Sequence, residues 1–393
     1  MTNYLKALSI VDYTVQTRRL LHQIPELSFE EHETSSFIAR EMGKFGFQVK
    51  RGVGGTGLTA VFESGQAGKN ILIRFDMDAL PIHEATELGY KSKNIGKMHA
   101  CGHDGHMAIG LSLAKLLSEN PELVSGKVYF VFQPAEEIGQ GAKAMIADGV
   151  FNELEIDYAL SCHLWTEKPF GWVGISSGGL MAGSSDFSVT VYGKGGHAAK
   201  PAACVDPLLI AAEIIGSLQS IVSRNLSANQ DAIVSLTRIH GSDRNNIIAD
   251  QVKMSGSLRW FDTETRNLLY KRVTEISNGI AKAYGATAEC RFEESVIPVI
   301  NNDFVSGVIL ESLEHLRVDV NEMEPDTGYK TMLSEDFAYF SQQVPSSMIL
   351  IGAAQPIDTQ NFPHHHPKFN LNEQALPLAV ACLLESTIRL TKG

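Results

Sequence analysis

The chain has 393 residues, enough for two domains with their own cores, and its 44% hydrophobic and 20% charged content is that of a soluble globular protein. A net charge of -12 argues against nucleic acid or an anionic membrane surface as main partner, and five irregularly spaced cysteines (Cys101, Cys162, Cys204, Cys290, Cys382) are no disulfide framework. No run approaches the roughly 18 apolar residues of a membrane span, and the first residues lack the ordered parts of a signal peptide, so a cytoplasmic protein is expected.

Over 8–23, Ile10, Val11, Val15, Leu20 and Leu21 recur at helical spacing until Pro25 ends the pattern. Ser28 and Glu31 read as the capping box of a second helix whose buried face is Phe37, Ile38, Met42 and Phe45. Two β-type runs follow, 58–62 and 70–75. The second is apolar almost throughout, as a strand covered on both faces is, and runs into Asp76 and Asp78.

Residues 98–107, MHACGHDGHM, put His99, Cys101, His103, Asp104 and His106 into ten positions. Cys101 and His103, two apart, can turn their side chains the same way, and Gly102 and Gly105 keep the loop tight. A thiolate with an imidazole suits zinc or a similar divalent ion better than calcium or magnesium. A cysteine nucleophile with a histidine base, or a plain loop around a buried thiol, would use the same residues. Helical spacing from Met107 on predicts that the loop opens a helix, whose dipole would favour the thiolate of Cys101.

A strand over 128–132 leads to the adjacent carboxylates Glu136 and Glu137, 141–148 reads as a short helix, and His163 is expected at the end of a strand over 157–162. Strands alternating with helices indicate an α/β sheet, whose chemistry collects at the carboxyl ends of the strands. Asp76, Asp78, Glu136, Glu137 and His163 all fall there. Adjacent carboxylates can divide the tasks of metal ligand and proton acceptor. With Cys101, His103 and Glu137, His163 and a histidine of 364–366 would give five ligands, enough for two ions sharing one bridge.

Near 182 the character changes: 186–192, 232–239 and 252–260 alternate polar and apolar residues, with helical stretches at 207–222 and 264–284 and a last strand near 287–292. This β-α-β-β-α-β order is the split-βαβ, ferredoxin-like plan. A helix over 304–316, a short one over 334–340, a buried strand over 348–352 and a final helix from about 373 return to the first pattern. The expected architecture is α/β: a discontinuous mixed-sheet catalytic domain, 1–181 and 295–393, and an inserted α+β lid or dimerisation domain, 182–294.

The stretches HQIPELSFEE, DMDALPI, MHACGHDGH, FQPAEE, CHLW, GKGGHAA, NNIIAD, GSLRWFD, SEDFAYF and HHHPKF resemble, in order over nearly the whole chain, the dinuclear-metal amidohydrolase and peptidase family of aminoacylase, hippurate hydrolase and the indoleacetyl-amino-acid hydrolases. HACGHDGH with QPAEE carries the resemblance. It implies a zinc-peptidase-like fold and two divalent ions per chain (zinc, manganese, cobalt or nickel). Cys101 would be the bridging ligand, with His103, Glu137, His163 and His365 as the others; His366 is the neighbouring alternative, because the triple histidine departs from the usual pattern. Glu136 would be the general acid/base. His197 resembles the family's oxyanion-stabilising histidine, often supplied by a neighbouring subunit, and Asn246 and Arg259 match positions for a substrate carboxylate. After Asn246 this chain has Ile247-Ile248-Ala249 where relatives have Val-Ile-Pro. Asp78 would support the metal centre from behind, while Glu335 and Asp336 either cap a helix or touch substrate.

The implied function is metal-dependent hydrolysis of the amide bond of N-acyl (acetyl, benzoyl or similar) amino acids to a carboxylic acid and a free amino acid, by a homodimer or larger homo-oligomer acting on small molecules or short peptides. The alternatives are a dipeptidase or carboxypeptidase with the same centre, and a non-catalytic metal- or amino-acid-binding protein. Glu136 weighs against the last, since a binder needs only the ligands.

Overall fold

The computed structural model describes residues 2–356 and 358–392. The chain forms two compact units: one holds the residues up to Leu180, Ile300–Lys330 and the residues from Asp336 on, the other Met181–Val299 and Thr331–Glu335. Among the described residues no helix is long and apolar enough to cross a membrane.

In the first unit an eight-stranded sheet runs Gln48–Val53, Gly57–Glu63, Lys127–Gln133, Ile71–Asp76, Tyr158–Trp165, Ser346–Gly352, Trp172–Gly174 and Glu324–Asp326. Its centre is parallel: Ile71–Asp76 pairs in parallel with both neighbours, as does Ser346–Gly352 with Tyr158–Trp165. All six residues of Ile71–Asp76 are buried, which is why that strand reads as a continuous apolar run. The helix His103–Glu119 lies against the sheet so closely that a Cβ on Gly110 would sit 2.8 Å from the Phe75 ring, and one on Gly105 would sit 2.5 Å from Leu164 Cδ1. Ala375–Lys392 packs beside it, with 14 of its 18 residues buried. At about 1.5–3 kcal/mol per fully buried large apolar side chain, these two helices hold much of the unit's core.

Local differences from the expected pattern have physical causes. The first helical stretch is two helices, Asn3–Ser9 and Val11–His22, divided at Ile10, whose φ of -116° is not helical. The capping box does not form: Ser28 donates to the Asp78 carboxylate, Glu31 accepts from Ala135 N–H, and Glu26 takes the free N–H groups of Glu33 and Thr34 at the start of His32–Lys44. His163 lies within Tyr158–Trp165, two residues before its end. Asp336 sits at the start of Phe337–Ser341 but makes no cap with its side chain, which faces Arg74 instead.

In the second unit Ala232–His240, Gln251–Trp260, Gly183–Tyr192 and Thr287–Val296 form, in that spatial order, a wholly antiparallel sheet. With the helices Pro207–Leu218 and Thr263–Ala283 the chain order is β-α-β-β-α-β. Val189, Val191, Val252, Met254 and Leu258 face the helices, while the alternate residues stay more exposed, so this sheet has one wet face.

Candidate metal centre

Cys101 precedes the helix His103–Glu119, whose N-cap is Gly102 at φ 93°, a left-handed conformation that glycine adopts freely. His103, in the first turn, donates from Nδ1 to the Asp78 main-chain carbonyl at 2.9 Å, which leaves Nε2 as a lone pair. His163 likewise donates from Nδ1 to the Leu164 carbonyl at 2.9 Å, and its Nε2 lies 3.6 Å from Cys101 Sγ. Ala135, at φ 52°, turns the chain just before Glu136 and Glu137. The Asp78 carboxylate accepts the N–H groups of both, at 3.1 and 3.0 Å, so it fixes the carboxylate pair and, through its carbonyl, His103.

Glu137 spans the centre, with Oε1 3.9 Å from His103 Nε2 and Oε2 3.3 Å from His365 Nε2. Glu136 Oε2 lies 3.8 Å from His103 Nε2. His365 is in the left-handed region, φ 64°, and its N–H bonds the Ala100 carbonyl at 2.8 Å, which brings the C-terminal loop to the cysteine motif. A non-glycine residue held there costs on the order of 1 kcal/mol and such residues cluster at functional sites. Of the donor groups among the described residues whose ligand atoms lie within 4.8 Å of one another, two share Cys101: Cys101 with His103 and His163, and Cys101 with Glu137 and His365.

The three adjacent histidines divide. His365 joins the cluster. His366 stacks on Phe362 at 4.5 Å and accepts from Lys368 N–H. His364 donates from Nε2 to the Leu164 carbonyl at 3.0 Å. Its role, and that of His106, whose Nδ1 is 2.6 Å from Asp76 and whose Nε2 accepts from Leu164 N–H at 2.9 Å, is not visible from spacing; the only sign is that both lie inside histidine-rich motifs.

The residues fit two divalent cations. His103 Nε2 and Glu137 Oε1 are buried without hydrogen-bond partners, and both face the cluster. The electrostatics also call for positive charge. Hydrogen bonds to Cys101 and Glu137 push His365 up to about 10. Burial would depress His103, but Asp76, Asp78 and Cys101 outweigh it and raise it. His163 is held low by burial and by His106 and His364, and His364 is pushed down to about 4, chiefly by burial. The helix terminus does not depress the Cys101 thiol: burial and the Glu137 charge push it up, so a cation is needed to favour the thiolate.

The second unit holds the other candidates separately. His197 is exposed on a two-residue strand paired with Ile247–Ile248, beside Asn246, whose carbonyl accepts Ala198 N–H. His197 Nδ1 accepts from Ala199 N–H at 3.0 Å, so in the neutral ring the proton sits on Nε2. Arg259 is half-buried and donates to Ser334 Oγ at 2.5 Å.

A cysteine sulfur shared by two donor groups, with a further carboxylate beside them, is the donor set of a site that could hold two metal ions. The chain belongs to the peptidase family M20/M25/M40, whose profile matches residues 72–388. It is 38% identical over 373 residues to thermostable carboxypeptidase 1 of Saccharolobus solfataricus, covering 94% of this chain and 93% of that protein. It is also 38% identical over 373 residues to the N-acetyl-L-cysteine deacetylase of Bacillus subtilis, covering 95% and 87%. Among solved structures, the Bacillus subtilis YXEP protein, described as a dinuclear metal-binding peptidase from the M20 family, superposes with a TM-score of 0.84 at 32% identity, over 97% of this chain and 98% of that one.

Proposed function

We propose that the protein is an amidohydrolase that cleaves N-acyl amino acids into a carboxylic acid and a free amino acid. The observation that carries this is Cys101 common to two donor groups, with Glu136 next to the ligand Glu137 and 3.8 Å from His103. Cys101, His103, His163, Glu137 and His365 would hold the two ions, with Cys101 common to both donor groups. Bound there, the ions would supply Lewis-acid polarisation of the amide carbonyl and a lowered pKa for a water. Glu136 takes the proton of the attacking water and passes it to the leaving nitrogen, a role worth typically about 10²–10⁴ in rate. Asp78 keeps Glu136 and Glu137 in place through their N–H groups. His197 offers its Nε2–H to the developing oxyanion, while Asn246 and Arg259 hold the substrate carboxylate.

Zinc, manganese, cobalt or nickel suits a thiolate, imidazole and carboxylate set, and availability decides among them. The family resemblance supports a cytoplasmic homodimer or larger oligomer. Carboxypeptidase relatives at the same identity as the deacetylase support a second reading, peptide hydrolysis at the same centre.

The test is amine release from acetyl-, benzoyl- and indoleacetyl-amino acids beside dipeptides and N-blocked peptides, with and without chelator. Faster release from the acyl amino acids is expected, and preference for peptides would replace this reading with the second. Glu136→Gln should cut kcat about 10²–10⁴-fold with both ions retained. A Glu136→Gln enzyme at full speed would remove Glu136 from the chemistry.

A further inference from the structure

We propose that His364, which the function above leaves unused, is a positioning residue that aims His163 at its ion; this rests on the reading of His163 as a ligand. Leu164 is held through both of its main-chain polar groups, which belong to successive peptide planes. Its N–H donates to His106 Nε2 at 2.9 Å, and its carbonyl accepts from His163 Nδ1 at 2.9 Å and His364 Nε2 at 3.0 Å.

A carbonyl only accepts, so both imidazoles carry their proton on the nitrogen facing it, and both lone pairs of the carbonyl are used. His163 is thereby fixed in the tautomer whose Nε2 is bare and 3.6 Å from Cys101 Sγ. The bond from His163 to the adjacent Leu164 carbonyl is local, within a strand that Ser346–Gly352 already pairs. The second donor, arriving from 200 positions away, takes the other lone pair of that carbonyl and so fixes the side from which it can accept from His163.

The surroundings fix His364 in turn. Its ring packs on Trp165 at 5.2 Å, Phe369 at 5.3 Å and His163 at 5.4 Å. On the His103–Glu119 side there is no slack, since a Cβ on Gly105 would sit 2.5 Å from Leu164 Cδ1. His106, held by Asp76 at 2.6 Å, completes the clamp. The ring orientation of His163 is therefore set, through Leu164, by His106 and His364, which the ligand assignment above leaves out, and the first residue of the triple histidine acquires a task distinct from that of the second.

The test compares His364→Phe, which keeps a ring but loses the donor, with His364→Gln, whose Nε2–H group restores one near the same place. The full-length proteins are titrated with cobalt(II) against a competing chelator while the visible spectrum of the bound metal is followed, beside a His163→Ala control. Unfolding temperatures in excess chelator show that each variant is folded; if His364→Phe is not, His364→Leu replaces it.

His364→Phe should weaken one of the two ions about 10- to 100-fold and shift its cobalt spectrum, leaving the other ion unaffected, and His364→Gln should recover most of the loss. Wild-type affinity and spectrum in His364→Phe, an equal loss at both ions, or no recovery in His364→Gln would overturn the proposal. Wild-type binding by His163→Ala would instead overturn the ligand assignment on which it rests.

Discussion

The two units treat charge in opposite ways. The first buries Arg18, Arg74, Asp76, Asp78 and Asp104 almost completely, with His22, His103 and His106 among them. Among the described residues of Met181–Val299, the buried polar side chains are Ser184, Ser185, Thr265 and Ser277, none of them charged. A buried charge without partners costs several kcal/mol, and the buried arginines of the first unit are each tied to carboxylates. Arg74 reaches Gln133, Asp76 and Asp336, and Arg18 reaches Asp104, Tyr90, Glu373 and Asn370. The donors in the first unit are thus fixed before substrate arrives, as preorganised electrostatic catalysis requires. Of the candidates in the second unit, His197 and Asn246 are exposed, where change is cheap to the fold, while Arg259 is half-buried in a strand paired on both sides.

The largest expected effect tests the buried side of that contrast. Arg74→Met leaves the Asp76 and Asp336 carboxylates without the cation 2.8 and 3.0 Å away and should cost about 3–5 kcal/mol in chelator-treated protein, read by urea denaturation. Stability within 1 kcal/mol of wild type would mean that the surrounding hydrogen bonds, not the ion pairs, hold these carboxylates.

Next comes the exposed side. His197→Ala should lower kcat about 10²–10³-fold, equivalent to roughly 2.7–4 kcal/mol, with unchanged metal content and unfolding temperature. A fall in stability or metal content to match would abolish the distinction between the units.

The same contrast governs what could be read from the amino-acid order. Strand ends followed by Asp76, Asp78, Glu136 and Glu137 were legible because a strand buried on both faces leaves a continuous apolar signature. The cysteine–histidine motif was legible because its donors are close in sequence. The partners of those donors were not. Glu31 looks like a helix cap by spacing, yet its carboxylate is drawn 104 positions away to Ala135 N–H. Asp336, beside a short helix, is drawn 262 positions away to Arg74. Local capping yields wherever a buried group elsewhere needs the same carboxylate. The bounds of the second unit show the same limit: Thr331–Glu335 belongs to it through bonds such as Arg259 to Ser334, which no local pattern announces.

The smallest expected effect locates the pH response of stability in the first unit. His22 is buried, which by itself disfavours its charge, but Asp104 at 2.8 Å and Glu84 at 3.4 Å outweigh burial and raise it above its ordinary value of 6.5. A group raised in the folded state binds its proton more tightly folded than unfolded. Its contribution is complete below about pH 6.5 and fades as pH rises through the raised value, by up to about 1.4 kcal/mol for each pH unit between the two. Asp104, depressed by Arg18 and His22 against the opposing effect of burial, acts at the other edge: its contribution is lost only as pH falls below the ordinary carboxylate range. In excess chelator, the unfolding temperature of wild type should therefore exceed that of His22→Gln most at pH 6 and least at pH 9. A margin that grows with pH would mean His22 is neutral in the fold, and the pair with Asp104 would then be a plain hydrogen bond. A margin independent of pH would move the titration elsewhere, and since Met181–Val299 buries no charged side chain among the described residues, the remaining buried groups of the first unit would be the place to look.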